Sequence, residues 1–98
     1  MIGSLKGTVE ALDNPAVIID VKGVGYKVIV YENLFAKLKV KDKLKLFTYT
    51  HVKEDALELF GFDSLDDLSL FESLIKVSGI GPKTAINIFS WVSFSIYL

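Results

Sequence analysis

The sequence predicts an α+β chain: a small five-stranded barrel followed by a pair of short helices. Three observations predict it. Over the first sixty residues, apolar and polar positions alternate in short runs separated by turn residues, the period of strands with one buried face. From Leu65 onward the apolar spacing changes to threes and fours, the period of a helix. Between two such helical stretches stands Ser78-Gly79-Ile80-Gly81-Pro82-Lys83, whose glycines and proline suit a sharp turn.

The elements follow in order. Leu5, Gly7, Val9 and Ala11 alternate with Lys6, Thr8 and Glu10 as a first strand, and Asp13-Asn14-Pro15 turns the chain. Ala16 to Val21 is a short apolar second strand. Lys22-Gly23 returns the chain into Val24 to Val30, where Val24, Tyr26, Val28 and Val30 share a face and Gly25 suggests a bulge or bend. Asn33 to Leu38 has the length of one or two helical turns. Lys41-Asp42-Lys43 turns again, Leu44 to Thr50 forms a fourth strand, and Ala56 to Phe62 a fifth after a tip at Lys53-Glu54-Asp55. Five strands with a short helix between the third and fourth match the OB-fold, the oligonucleotide/oligosaccharide-binding barrel. Ser64-Leu65-Asp66-Asp67 then resembles a capping box. The expected organisation is an OB-fold barrel over residues 1–62 and a small, partial helix-hairpin-helix domain over 63–98. Leu65, Leu68, Phe71, Leu74, Ile75 and Val77 mark the buried face of the first helix, and Ala85, Ile88, Phe89 and Val92 that of the second. Trp91, Val92, Phe94, Ile96, Tyr97 and Leu98 make an apolar ending that must pack inward, meet another subunit or promote association.

Ninety-eight residues, 51% of them hydrophobic, suffice for a real core but not for a large enzyme cleft. The absence of cysteine removes disulfides and thiolate metal sites. No signal sequence is visible and no apolar run is long enough to span a bilayer, so the cytoplasm is the expected location and no membrane contact is expected. There are eleven lysines and no arginine, so bidentate guanidinium reading of guanine or phosphate is unavailable. The net charge is only −1, but it is unevenly distributed: Ala36–Lys53 carries +5 and Glu54–Glu72 carries −7. Such a swing points to two differently charged surfaces. Solvated faces of ordinary strands and turns are the plain alternative.

The hexapeptide carries the chemistry. Gly79 can take the left-handed conformation that ends one helix, and Pro82 suits the first position of the next. Backbone N–H groups around Gly81 to Thr84 then lack carbonyl partners within the helix, and the helix dipole adds partial positive charge. An anion fits there. Two glycines allow a phosphate oxygen close to the backbone, while Lys83 and Thr84 supply a charge and a hydroxyl. The same residues also make a helix connector that needs no ligand.

Several motifs together resemble the RuvA family of bacterial Holliday junction branch-migration subunits. They are Met1-Ile2-Gly3-Ser4-Leu5-Lys6-Gly7, Gly23-Val24-Gly25-Tyr26, His51-Val52-Lys53-Glu54-Asp55-Ala56, Leu59-Phe60-Gly61-Phe62, and Leu70 to Lys76 leading into Gly79-Ile80-Gly81-Pro82-Lys83. The resemblance runs over about residues 1–90. It implies a barrel followed by helix-hairpin-helix motifs, a four-fold tetramer holding a four-way DNA junction open and planar, delivery of that DNA to the RuvB ATPase, and resolution by RuvC. It places the chain in DNA recombination, repair and the SOS response. By position it makes Gly79, Ile80, Gly81 and Lys83, with Thr84 beside them, the phosphate-binding hairpin, and Glu54 and Asp55 the acidic pin. Two carboxylates at a hairpin tip repel phosphates, which would disfavour an intact duplex at the crossover. The family continues with a second helix-hairpin-helix, a linker and a C-terminal domain that binds the ATPase. These are expected to be missing here, with Trp91–Leu98 a truncated or diverged tail and with tetramer formation and motor coupling impaired.

Two other functions compete. An enzyme would draw on His51, Glu54 and Asp55, or on Asp63, Asp66 and Asp67, but neither set has metal-ligand spacing. The expectation is therefore no catalytic residue, no metal and no cofactor. A protein-interaction module using barrel edges and the apolar tail, or a tetramer-defective fragment that does not bind DNA, is the remaining alternative.

Overall fold

The computed structural model describes residues 1–96, with side chains through Val92. Five strands, β1 (Ser4–Asp13), β2 (Ala16–Val21), β3 (Val24–Val30), β4 (Lys43–Val52) and β5 (Leu57–Phe62), form a closed barrel in the order β1-β2-β3-β5-β4. Helix α1 (Glu32–Lys37) lies between β3 and β4, and α2 (Leu65–Ser78) and α3 (Pro82–Ile96) follow the barrel. This is the expected five-stranded, OB-like barrel with helices after it.

Strand β1 closes the barrel by serving two neighbours. Ser4–Thr8 pairs with Phe47–Lys43 of β4, and Thr8–Asp13 pairs with Asp20–Ala16 of β2. Between Val9 and Ala11 the register slips, so Glu10 is an extra residue. The bulge sits in β1 and not at Gly25, which pairs regularly with Asp20. It also changes the alternation expected for β1: Leu12 stands opposite Val17, where the unbroken pattern would have put Ala11. At Gly25 the glycine serves close packing, because a Cβ there would lie 3.1 Å from Ile18 Cγ2. Lys22 and Gly23, with φ of 51° and 91°, make the two-residue turn between β2 and β3. Strand β3 pairs in parallel with β5, which brings the end of the barrel sequence back to its middle.

Both long helices begin and end on local signals. Ser64 accepts from the Asp67 N–H at 3.1 Å and caps α2. Gly79, at φ 68°, ends it with its N–H bonded to the Ile75 carbonyl at 2.9 Å. Pro82 is the first residue of α3, and the Gly81 carbonyl accepts from Ala85 N–H at 3.0 Å.

The two helices are too short to bury a core of their own and use that of the barrel. Phe71 of α2 lies 4.8 Å from Phe62 and 5.8 Å from Phe60, ring centre to ring centre, and Phe89 of α3 lies 5.2 Å from Phe62 and 4.9 Å from Tyr31. A single apolar cluster therefore runs from Val9 and Ile19 inside the barrel to Leu68, Phe71, Ala85, Ile86 and Phe89. The buried faces differ in part from the periodic reading. Leu65 and Val77, at the two ends of α2, are exposed because the barrel wall reaches only its middle turns. On α3, Ile86 is buried and Ile88 is not, since α3 turns its Ala85-Ile86-Phe89 stripe to the aromatic cluster. The apolar ending is partly helix: residues through 96 continue α3, while the expectations placed on Tyr97 and Leu98, and on the side chains of Phe94 and Ile96, lie outside the described residues.

Candidate nucleic-acid interface

The hairpin tip is open. Gly79, Gly81, Lys83 and Thr84 are exposed and Ile80, half-buried, packs against the core and anchors the turn. Ser78 Oγ turns back to the Leu74 carbonyl, which leaves the tip to the backbone. Gly79 owes its identity to its positive φ. Gly81 does not: its φ is not positive and a Cβ there would meet nothing within 4 Å. As the residue before α3 it occupies an N-cap position, where serine, asparagine or aspartate would stabilise the helix better than glycine does. Among the described residues no packing contact, and no positive φ, calls for glycine at that position.

Glu54 and Asp55 sit at the exposed tip between β4 and β5, where Lys53 N–H donates to the Ala56 carbonyl at 2.7 Å and closes the turn. Val52 and Leu57, which flank this tip, are exposed as well. Neither tip carboxylate pairs with Lys83. The residue that links the two regions is Glu58 of β5: its Oε1 lies 3.0 Å from Lys53 Nζ and its Oε2 lies 3.5 Å from Lys83 Nζ. Its side chain is only 19% exposed, whereas that of Lys83 is 67% exposed. Lys53, donating to it, holds the Glu58 carboxyl below the usual glutamate value; burial opposes this shift and the charge of Lys83 adds to it. Sequence reasoning did not single out Glu58. Its signal was a lone charge inside the otherwise apolar strand Leu57-Glu58-Leu59-Phe60-Gly61-Phe62.

Glu58 and Lys83 lie on the wall of a groove of about 720 Å³ between the β1–β2 turn, β3 and α3, lined also by Asp13, Lys27, Asn87 and Ser90. Asp13 and Lys27 pair across it at 3.4 Å. Ser90 Oγ accepts from Glu32 N–H at 3.1 Å and ties α1 to α3 at the groove's end. Apart from Lys53, the lysines of the Ala36–Lys53 run lie elsewhere: Lys37 ends α1, Lys39 and Lys41 lie in the following loop, and Lys43 and Lys45 point outward from β4 with Lys6 directly opposite Lys45. The acids Asp63 and Asp67 gather at the barrel–helix junction, where Tyr31 OH donates to Asp63 at 3.0 Å. Burial, then the charge of Asp63, pushes the Asp67 carboxyl up. Among the described residues no three His, Asp or Glu side chains are placed to hold a metal.

Residues 1–61 match the family model of the RuvA N terminal domain. The chain belongs to the RuvA family. Residues 71–95 match a second model, a SAM-like helix-hairpin-helix tandem. The chain is 47% identical over 98 residues to the Holliday junction branch migration complex subunit RuvA of Halothermothrix orenii, covering 100% of this chain and 50% of the relative. It is 42% identical over 92 residues to that of Bdellovibrio bacteriovorus, covering 92% and 47%, and 41% identical over 96 residues to that of Acinetobacter baumannii (strain AYE), covering 98% and 48%. The chain thus spans about half the length of these relatives. Similarity does not stop near Ser90: it runs on through the last turns of α3.

Proposed function

We propose that this chain is a non-catalytic DNA-binding part of a Holliday junction branch-migration subunit. It grips four-way junctions through backbone phosphates at the hairpin of Gly79, Ile80, Gly81, Lys83 and Thr84. The observation that carries the reading is Gly81. A Cβ there would meet open space, so no described contact explains the glycine, whereas close approach of a phosphate oxygen to the first turn of α3 does. Lys83 stands in the same turn with most of its side chain in solvent.

In this reading residues 1–62 and 63–98 are a barrel unit and a hairpin unit, and Glu54 and Asp55 form an acidic pin. Their exposure at a tight tip lets them repel phosphates at the crossover without losing a folding contact. Self-association belongs to this reading, the tetramer being the family's arrangement; exposed Val52 and Leu57, paired across β4 and β5, give it an apolar spot. Partners are then junction DNA, further copies of the chain and, for a subunit carrying its motor-binding domain, the RuvB ATPase. The cytoplasm is the proposed location.

The test compares a four-way junction with linear duplex of the same sequence, at two salt concentrations, for the wild type, Gly81→Ala and Lys83→Glu. Junction binding that weakens steeply with salt, ignores base sequence and is lost in both variants with melting curves intact is expected. A strong preference for one duplex sequence, or no effect of either variant, removes the clamp. The pin is tested by changing Glu54 and Asp55 to amides, which should leave binding equal or stronger; a large loss means that they make an attractive contact.

A further inference from the structure

We infer that Glu58 is an internal competitor for phosphate at Lys83, setting the affinity of the hairpin for DNA by occupying in the free chain the ammonium that a phosphate oxygen would take. The inference rests on the phosphate-clamp reading and adds a residue to it. Its basis is geometric. One carboxylate is shared by two lysines from different elements: Lys53 beside the acidic tip at 3.0 Å and Lys83 in the first turn of α3 at 3.5 Å. The carboxylate is held in place, because Glu58 belongs to a barrel strand and its Oε1 is buried. The lysine is not: Lys83 is 67% exposed, and its four-carbon stem allows the ammonium to swing.

A phosphate arriving at the α3 N-terminus therefore has two effects. It draws Lys83 away from Glu58, and it brings a second negative group close to a carboxylate that cannot retreat. Both lower affinity relative to a chain with a neutral residue at position 58. The open groove beside the pair allows a ligand to reach it. The looseness of the Lys83 contact sets the scale: a largely solvated ion pair is easily exchanged, so Glu58 attenuates binding and does not block it.

The experiment measures binding of the 98-residue chain to a fluorescently labelled four-way junction for wild type, Glu58→Gln, Lys83→Gln and the double variant. Glu58→Gln should tighten binding by roughly three- to tenfold at low salt. Most of that gain should vanish in the Lys83→Gln background, because the competition runs through that ammonium. Should Glu58→Gln lack a cooperative melting transition, Glu58→Leu, which removes the same charge within an apolar strand, takes its place. Unchanged or weaker binding by a folded position-58 variant, or a gain that persists fully without Lys83, overturns the competition and leaves the clamp standing. Junction binding by neither the wild type nor the position-58 variant overturns the clamp and this inference with it.

Discussion

In the barrel, Gly7 and Gly61 are glycines because their neighbours leave no room. A Cβ on Gly7 would run into the Asp20 carbonyl oxygen, and one on Gly61 would come within 2.7 Å of Val28 Cγ1. In the hairpin, a Cβ on Gly79 or Gly81 would meet open space. Gly79 answers to backbone conformation, and Gly81 answers to neither packing nor conformation. The difference separates two kinds of constraint. Gly7 and Gly61 are set by what lies inside the chain, while no described packing contact or positive φ accounts for the glycine at position 81.

The largest expected effect tests how firmly the two regions are joined. Phe71 is fully buried against Phe60, Phe62 and Tyr49, so Phe71→Ala should cost about 3–5 kcal/mol in urea unfolding. A loss below about 1 kcal/mol would mean that the helices do not depend on the barrel core. Gly7→Ala comes next, at about 1–3 kcal/mol, because the obstructing atom belongs to backbone and cannot rotate away. Ser64→Ala removes the α2 cap and should cost about 1 kcal/mol. Gly81→Ser sharpens the comparison from the other side: stability should change by no more than about 0.5 kcal/mol, since serine caps at least as well as glycine, while junction binding falls. A large stability loss would show that the fold itself requires this glycine.

Acid adds a smaller effect that again divides the regions. Glu58 binds its proton less tightly in the folded chain than in the unfolded one, so its contribution is full above the ordinary glutamate value of 4.5 and is lost as pH falls through its lowered folded value. Asp67 has the opposite sign. Its raised carboxyl is unfavourable to the fold above its folded value and is relieved as pH falls through it. The melting temperature of wild type should therefore exceed that of Glu58→Gln most at neutral pH, and the gap should shrink as pH falls from 4.5 through the lowered folded value. A gap independent of pH would assign the role of Glu58 to packing.

Much of this molecule was legible in local patterns. Ser64, Gly79 and Pro82 mark helix ends through contacts three or four residues long, and Lys22-Gly23 makes its turn from two φ angles. Such features depend only on neighbours in sequence, so the element order and the tight hairpin are readable without knowing the fold. The rest comes from packing between distant segments. The bulge at Glu10 arises because β1 must bend to pair with both β2 and β4, and the exposure of Leu65 and Val77 arises because the barrel wall covers only the middle of α2. The bridge from Glu58 to Lys53 and Lys83 joins residues 5 and 25 positions away. No periodicity encodes it, because it exists only where barrel closure and helix packing bring a strand, a turn and a helix start to one point.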